Sequence, residues 1–297
     1  MTYTVLLQQL INGVSLGSLY GLVAIGYTMV YGILRLINFA HGDLLMFTAY
    51  TAIYGSVTFA MPWHISFPLA ILVTGLMGIL LDRAAYRPLR SAPRVSLLIS
   101  AIGASFFLEN VTLVIIGGVP KGFPRPTVFD RVIDLWGVRI PVLTIYTPII
   151  TLLLLSALLF IVYRTRFGKA MRAASKDFEV TRLMGVDLDR VIATTFFLGS
   201  VLAGAGGIMW AMKYPEVNPF MGIIPGLKAF IAAVLGGIGN IVGAMIGGFL
   251  LGVGEIMIVA LVPEMAKYRD AFAFIVLIAV LLFRPTGIMG EPIVDKS

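Results

Sequence analysis

From Tyr3 to Leu34 the chain carries no Asp, Glu, Lys or Arg, and Leu44–Leu81 is a second uncharged run of similar length. About 20 apolar residues are enough to cross roughly 30 Å of hydrocarbon, so each run exceeds what one straight crossing requires. The rest of the chain continues the pattern. Of its 297 residues, 59% are hydrophobic and only 12% charged, with a mean hydropathy of +0.98. A soluble domain is nearer half apolar and one quarter charged. An ordinary cytosolic enzyme is thereby excluded, and the expected fold is an all-α polytopic membrane protein.

The Tyr3–Leu34 run has Gly13, Gly17, Gly21, Gly26 and Gly32 as places to bend or pack closely. It reads as a helix preceded by a half-helix. The first basic residue is Arg35, so the basic n-region of a signal peptide is missing and the segment is expected to be retained. Pro62, Trp63 and His64 mark an interfacial turn within the second run. That gives spans at about 44–60 and 65–81, with others at about 95–118, 141–163, 191–212 and 270–283. The stretch 229–262 contains Leu235-Gly236-Gly237-Ile238-Gly239-Asn240 and reads as one broken helix or two short crossings. The expectation is eight to ten transmembrane helices in a single domain spanning 1–297.

The 22 basic and 15 acidic residues collect between the apolar runs, which is a membrane pattern and not a nucleic-acid-binding face. Arg83, Arg87, Arg90 and Arg94 occupy one loop. Arg164, Arg166, Lys169, Arg172, Lys176, Arg182 and Arg190 occupy another, 164–190. The positive-inside rule places both in the cytoplasm. The loop 119–140 and the N-terminus then face outside, while the C-terminal side depends on whether 229–262 crosses once or twice. With no cysteine and only His41 and His64, thiolate chemistry is excluded and a resident metal centre is not expected. No G-x-x-x-x-G-K-[ST] phosphate loop is present, so the chain is expected to be no enzyme and to bind no cofactor itself.

Within 164–190, Met171, Ala174 and Phe178 recur at helical spacing, Glu179 and Arg182 stand three apart, and Gly185 suits a left-handed helix end. One short amphipathic helix is expected. The pattern fits a solvated loop, a helix lying on anionic lipid, or a helix docking into a groove on a soluble partner.

Ionisable groups at membrane depth are costly and are treated as candidate functional positions. Glu109, beside Asn110, falls late in its span and reads as part of an interfacial pair, with an entry site contacting a binding protein or a substrate's ammonium as the alternative. Glu255 reads either as pathway lining or as a buried ion pair between helices. Asn38, His41 and Asp43 follow the first run; no nucleophile accompanies them, so a structural or gating corner is expected. Gly236, Gly237, Gly239 and Asn240 suit either tight helix packing or an unwound stretch lining a cavity. Gly239, Gly243 and Gly247, four apart, favour packing.

Several stretches together resemble a known family. They are Asn12–Ser18, Ile37-Asn38-Phe39-Ala40-His41-Gly42, Ala85-Tyr86-Arg87-Pro88-Leu89-Arg90, Arg172-Ala173 with Asp177 and Leu183-Met184-Gly185, Lys228-Ala229-Phe230, Ala232–Gly239, Gly243–Gly248 and Arg284-Pro285-Thr286-Gly287-Ile288. In order and nearly end to end, they resemble the membrane permease subunit of high-affinity branched-chain amino-acid ABC importers. The resemblance implies a bacterial or archaeal cytoplasmic-membrane protein that pairs with a second homologous permease. It also implies two ATP-binding cassette subunits that hydrolyse ATP, an extracytoplasmic substrate-binding protein, and surrounding lipid. Residues 164–190 become the coupling loop, with Arg172, Ala173, Asp177, Phe178 and Gly185 as its contacts with an ATPase. Related permeases carry urea or short amides. An ion-gradient-driven carrier is the rival class, and it would be favoured by coupled carboxylates at mid-membrane.

Overall fold

In the computed structural model, which describes residues 3–135 and 137–290, the apolar runs form helices. They are α1 (Tyr3–Leu34), α2 (Asp43–Ile53), α3 (Trp63–Leu81), α4 (Arg94–Ile116), α5 (Val142–Arg164), α6 (Arg166–Lys176), α7 (Phe178–Leu183), α8 (Leu188–Lys213), α9 (Ile223–Gly236), α10 (Ile241–Leu261) and α11 (Arg269–Phe283). Among the described residues, six helices are long and apolar enough to cross a membrane: α1, α3 with its continuation to Leu89, α4, α5, α8 and α10. Among the described residues, the departure from all-α structure is two short antiparallel pairs. β1 (Lys121–Gly122) pairs with β4 (Glu216–Val217), and β2 (Val132–Leu135) pairs with β3 (Val138–Pro141). The first ties the segment after α4 to the chain leaving α8.

The half-helix expected at the start is absent. α1 is one continuous helix of 32 residues, about 48 Å long at 1.5 Å per residue. Its glycines do not bend it; they admit a neighbour. α10 runs antiparallel alongside. A Cβ at Gly13 would lie 2.9 Å from Val253 Cα, one at Gly17 2.7 Å from Phe249 Cα, and one at Gly21 2.6 Å from Met245 Sδ. Both helices step by four residues, so the contact repeats along a stripe. Lipid tails are as apolar as leucine, leaving close backbone packing to hold helices together. α1 is therefore the centre of the bundle, with 94% of its apolar window buried, while α4 and α5 lie at the rim with 17% and 22%.

The stretch 229–262 resolves into two helices, α9 and α10, joined by a turn. Gly237 (φ 108°) and Gly239 (φ 101°) adopt the left-handed backbone there, which glycine enters without the usual Cβ clash. The Asn240 side chain accepts the Gly243 N–H at 2.9 Å and caps α10. Residues 287–290 pack on this turn through Ile288 N–H to Leu235 O and Met289 N–H to Gly236 O, each at 2.9 Å. The turn shares a cavity lining with Arg172 and Lys176 of α6. The chain's last described residues therefore lie at the same end of the bundle as 164–190. The start of α1 lies at the other end, where Gln8 accepts the Arg139 N–H of β3.

The single amphipathic helix expected in 164–190 is two. Asp177 leaves helical backbone (φ −157°, ψ 117°) and its carboxylate accepts the Val180 N–H at 3.0 Å, ending α6 and starting α7. An Asp at such a junction competes for backbone N–H groups, which outweighs the three-and-four spacing. Met171 and Ala174 are buried on α6, but Phe178 belongs to α7 and is exposed.

Candidate translocation cavity and coupling helix

After α1 ends, the chain turns back into the bundle. Asn38 Oδ1 accepts the Tyr86 hydroxyl at 2.6 Å, and a short 3-10 turn, Phe39–His41, brings the chain beside the last third of α1. There the His41 ring packs on Tyr27 with centroids 4.5 Å apart. Gly26 leaves the room, because a Cβ on it would lie 2.6 Å from His41 Cε1. α2 consequently begins at depth. α9 begins at the same place. A Cβ on Gly42 would fall 2.7 Å from Gly222 O, and one on Gly226 would fall 2.8 Å from Gly42 Cα. The first turns of two helices thus meet backbone to backbone inside the bundle.

Asp43, the first residue of α2, turns its carboxylate toward α4, where Ser105 Oγ donates to Asp43 Oδ2 at 2.6 Å. Glu109, one turn further along α4, faces the same carboxyl. Glu109 and Asn110 therefore do not act as one pair. Glu109 is buried and directed inward, while Asn110 beside it is exposed and donates to the Phe106 carbonyl. His41 and Asp43 do not form one polar corner either, since the imidazole faces α1 and the carboxylate faces α4. Asp43, Ser105 and Glu109 line a cavity of about 210 Å³ with Gly42, Gly222 and apolar side chains of α4 and α9.

Glu255 is the buried ion pair of the two readings. Lys228 Nζ lies 2.9 Å from Oε1, Arg269 Nε donates to Oε2 at 2.9 Å, and the Tyr20 hydroxyl donates to Oε2 at 3.1 Å. Lys228 also reaches Asp270 at 2.7 Å. The cluster joins α1, α9, α10 and α11. Lys228 and Arg269 were absent from the sequence reading of this position. The available signal was a lone buried acid in an apolar helix, which calls for a counter-charge on a neighbour. A second cluster was also missed. Arg90 holds both oxygens of Asp82 at 2.6 and 2.8 Å and reaches Asp189 at 2.6 Å, where Arg87 joins it. It links the chain after α3 to the first turn of α8, at the end that carries 164–190.

Gly236, Gly237, Gly239 and Asn240 sit in the α9–α10 turn at that end. Gly239 and Asn240 line a polar cavity of about 260 Å³ with Arg35, Arg172 and Ser175. Gly236 and Gly243 pack against each other's backbone.

Of the residues expected to couple to an ATPase, Arg172 is turned inward. It donates to the Val162 carbonyl and lies over the Tyr163 ring, 5.2 Å from its centroid. Ala173 is exposed on α6. Glu179 and Arg182 form no ion pair among the described residues. Gly185, at φ 79°, closes α7 as the spacing indicated. The most exposed apolar side chains here are Leu183 and Met184, at 85% and 79%; they entered the sequence reading only as part of a motif.

Comparison with known proteins gives this arrangement its family. The family described as branched-chain amino acid transport system / permease component matches residues 9–281. The high-affinity branched-chain amino acid transport system permease protein BraD of Pseudomonas aeruginosa is 43% identical over 302 residues, covering 98% of this chain and 97% of its own. LivH of Escherichia coli K12, a protein of the same description, is 40% identical, again covering 98% and 97%. A probable branched-chain amino acid transport permease protein LivH of Methanocaldococcus jannaschii is 29% identical over 91% of this chain and 88% of its own. The chain belongs to the family of branched-chain amino acid transport system permease components.

Proposed function

We propose that this permease component forms half of the translocation pathway of an ATP-driven importer for branched-chain amino acids in a bacterial or archaeal cytoplasmic membrane. Its partners are a second, related permease, two ATP-binding cassette subunits and an extracytoplasmic binding protein. The observation that carries this reading is identity of 43% with a named permease of this class along essentially the whole chain. The exposed Leu183–Met184 end of α7 supports it as a docking point for an ATPase. Closure of the ATPase pair would move α7 and, through α6 and α8, the helices around the mid-bundle cavity. The six long helices with the shorter α2, α9 and α11 make nine crossings, which puts the N-terminus outside and residues 164–190 and 287–290 inside.

The ion-gradient carrier has one point in its favour, since Asp43 and Glu109 are coupled carboxyls at depth. The separate docking helix and the family weigh against it. The test is a mild-detergent pull-down of the tagged chain from its native membrane, followed by reconstitution with what accompanies it. The expected result is two ATPases, a second permease, and leucine uptake that requires ATP and survives a protonophore. A chain recovered alone, whose uptake follows a proton or sodium gradient, would overturn the reading.

A further inference from the structure

Four acidic side chains are buried in the described structure: Asp43, Asp82, Glu109 and Glu255. Asp82 is paired with Arg90, and Glu255 with Lys228 and Arg269. Among the described residues, Asp43 and Glu109 have no Lys or Arg partner, although they are only 2% and 5% exposed. Two carboxyls removed from water, facing each other and lacking a cation, are costly to hold at depth. They border a cavity. We propose that this cavity is an amino-acid site, in which Asp43, Ser105 and Glu109 take the α-ammonium and Ile102, Phe106 and Leu227 receive the apolar side chain.

The rest of the lining suits the rest of such a substrate. Gly42 and Asp43 start α2, and Gly222 and Ile223 start α9, so the positive ends of two helices meet at the cavity. Converging helix N-termini provide a place for a carboxylate. A zwitterion with an apolar side chain therefore finds an acidic side, a positive end and an apolar wall in one space. The volume fits as well. An apolar cavity of about 150 Å³ admits benzene, and this one is about 210 Å³. Ile102 and Phe106 are themselves exposed on α4, so the cavity opens at the bundle's surface. The inference rests on the importer reading and assigns its substrate contacts within this chain.

The natural absence of cysteine makes the site directly testable in the assembled transporter. Ile102→Cys places a lone thiol on the lining in this chain, with the partner subunits made cysteine-free. A small cationic methanethiosulfonate should react with it roughly tenfold faster than an anionic one of similar size, the effect of about 1.4 kcal/mol of local potential. Leucine should slow that reaction, while its analogue lacking the amino group should not. In the Ile102→Cys background, Glu109→Gln should remove both the charge preference and the protection, and Glu109→Asp should retain them. Recovery of the ATPases with each variant verifies that the fold is intact. Equal rates for the two reagents, or protection unaffected by Glu109→Gln, would overturn the inference while leaving the importer reading in place. Conversely, if Glu109→Gln abolishes a proton-driven component of uptake and leaves leucine protection unchanged, both this inference and the importer reading fail.

Discussion

Gly42 and Gly222 touch through their backbones: a Cβ added to Gly42 would lie 2.7 Å from the Gly222 carbonyl oxygen. Neither residue needs glycine for its φ, since both are right-handed, at −62° and −80°. The requirement is space. The contact lets α2 and α9 begin at the same depth and so creates the cavity beside Asp43.

Gly42→Ala should therefore push two rigid helix starts apart, at an overpacking cost of about 1–3 kcal/mol. We expect a lower thermal midpoint in detergent and strongly reduced uptake. Gly103→Ala is the control, because nothing lies within 4 Å of a Cβ built there. If both variants melt and transport like the parent, the contact does not hold the two helices in place.

The Glu255 cluster gives a stability prediction. Removing one partner of a buried ion pair costs about 3–5 kcal/mol, because the other charge is stranded. Glu255→Gln strands Lys228, which is 6% exposed and 2.9 Å away, and the less buried Arg269, also 2.9 Å away and 29% exposed, although Asp270 at 2.7 Å relieves part of the loss at Lys228. We expect a clearly lower melting temperature in Glu255→Gln. In the double variant Lys228→Met with Glu255→Gln, much of that loss should be recovered. A double variant no better than the single would show that Lys228 is not the stranded partner.

The limits of α4, α5 and α8 were legible because uncharged length is a local property. The expected 95–118, 141–163 and 191–212 lie within three residues of α4, α5 and α8 at each end. What was not legible depended on which helix faces which. The glycines of α1 read as places to bend or to pack closely, and the choice stayed open because the sequence does not say that α10 lies alongside them. Glu109 read as interfacial because depth was counted along one helix, and its partner, Asp43, lies 66 positions away. The break at Asp177 was within reach, since an Asp followed by Phe-Glu-Val is an N-cap signal. The spacing of Met171, Ala174 and Phe178 obscured it.

The end of α7 should dock the ATPase through Leu183 and Met184, both largely exposed. Leu183→Asp should leave the chain inserted and abolish co-purification of the ATPase, because a buried, unpaired carboxylate at a docking surface is strongly unfavourable. Gly185→Pro should act on the same step by a different route. Its left-handed φ of 79° is closed to proline, which is fixed near −65°. Asp177→Arg removes the carboxylate that receives Val180 N–H and starts α7. Normal uptake in all three variants would remove the coupling role from α7.

The position of residues 287–290 against the α9–α10 turn bears on topology. If 164–190 is cytoplasmic, Met289 must be too, because both meet the same end of the bundle, while Val128 lies in the segment that β1 and β4 fix at the other. All three sites are open to reagent: Arg166 is exposed, Met289 is 42% exposed and Val128 is 48% exposed. The natural chain contributes no background thiol. Val128→Cys should react with a membrane-impermeant maleimide in spheroplasts, and Arg166→Cys and Met289→Cys only in inverted vesicles. A single-cysteine Met289→Cys chain that labels with Val128→Cys, and not with Arg166→Cys, would require an odd number of crossings between residues 166 and 289 and contradict the packing of Ile288 and Met289 on α9. Agreement of Met289→Cys with Arg166→Cys fixes an even number of crossings between the two sites, the number that α8, α9, α10 and α11 supply.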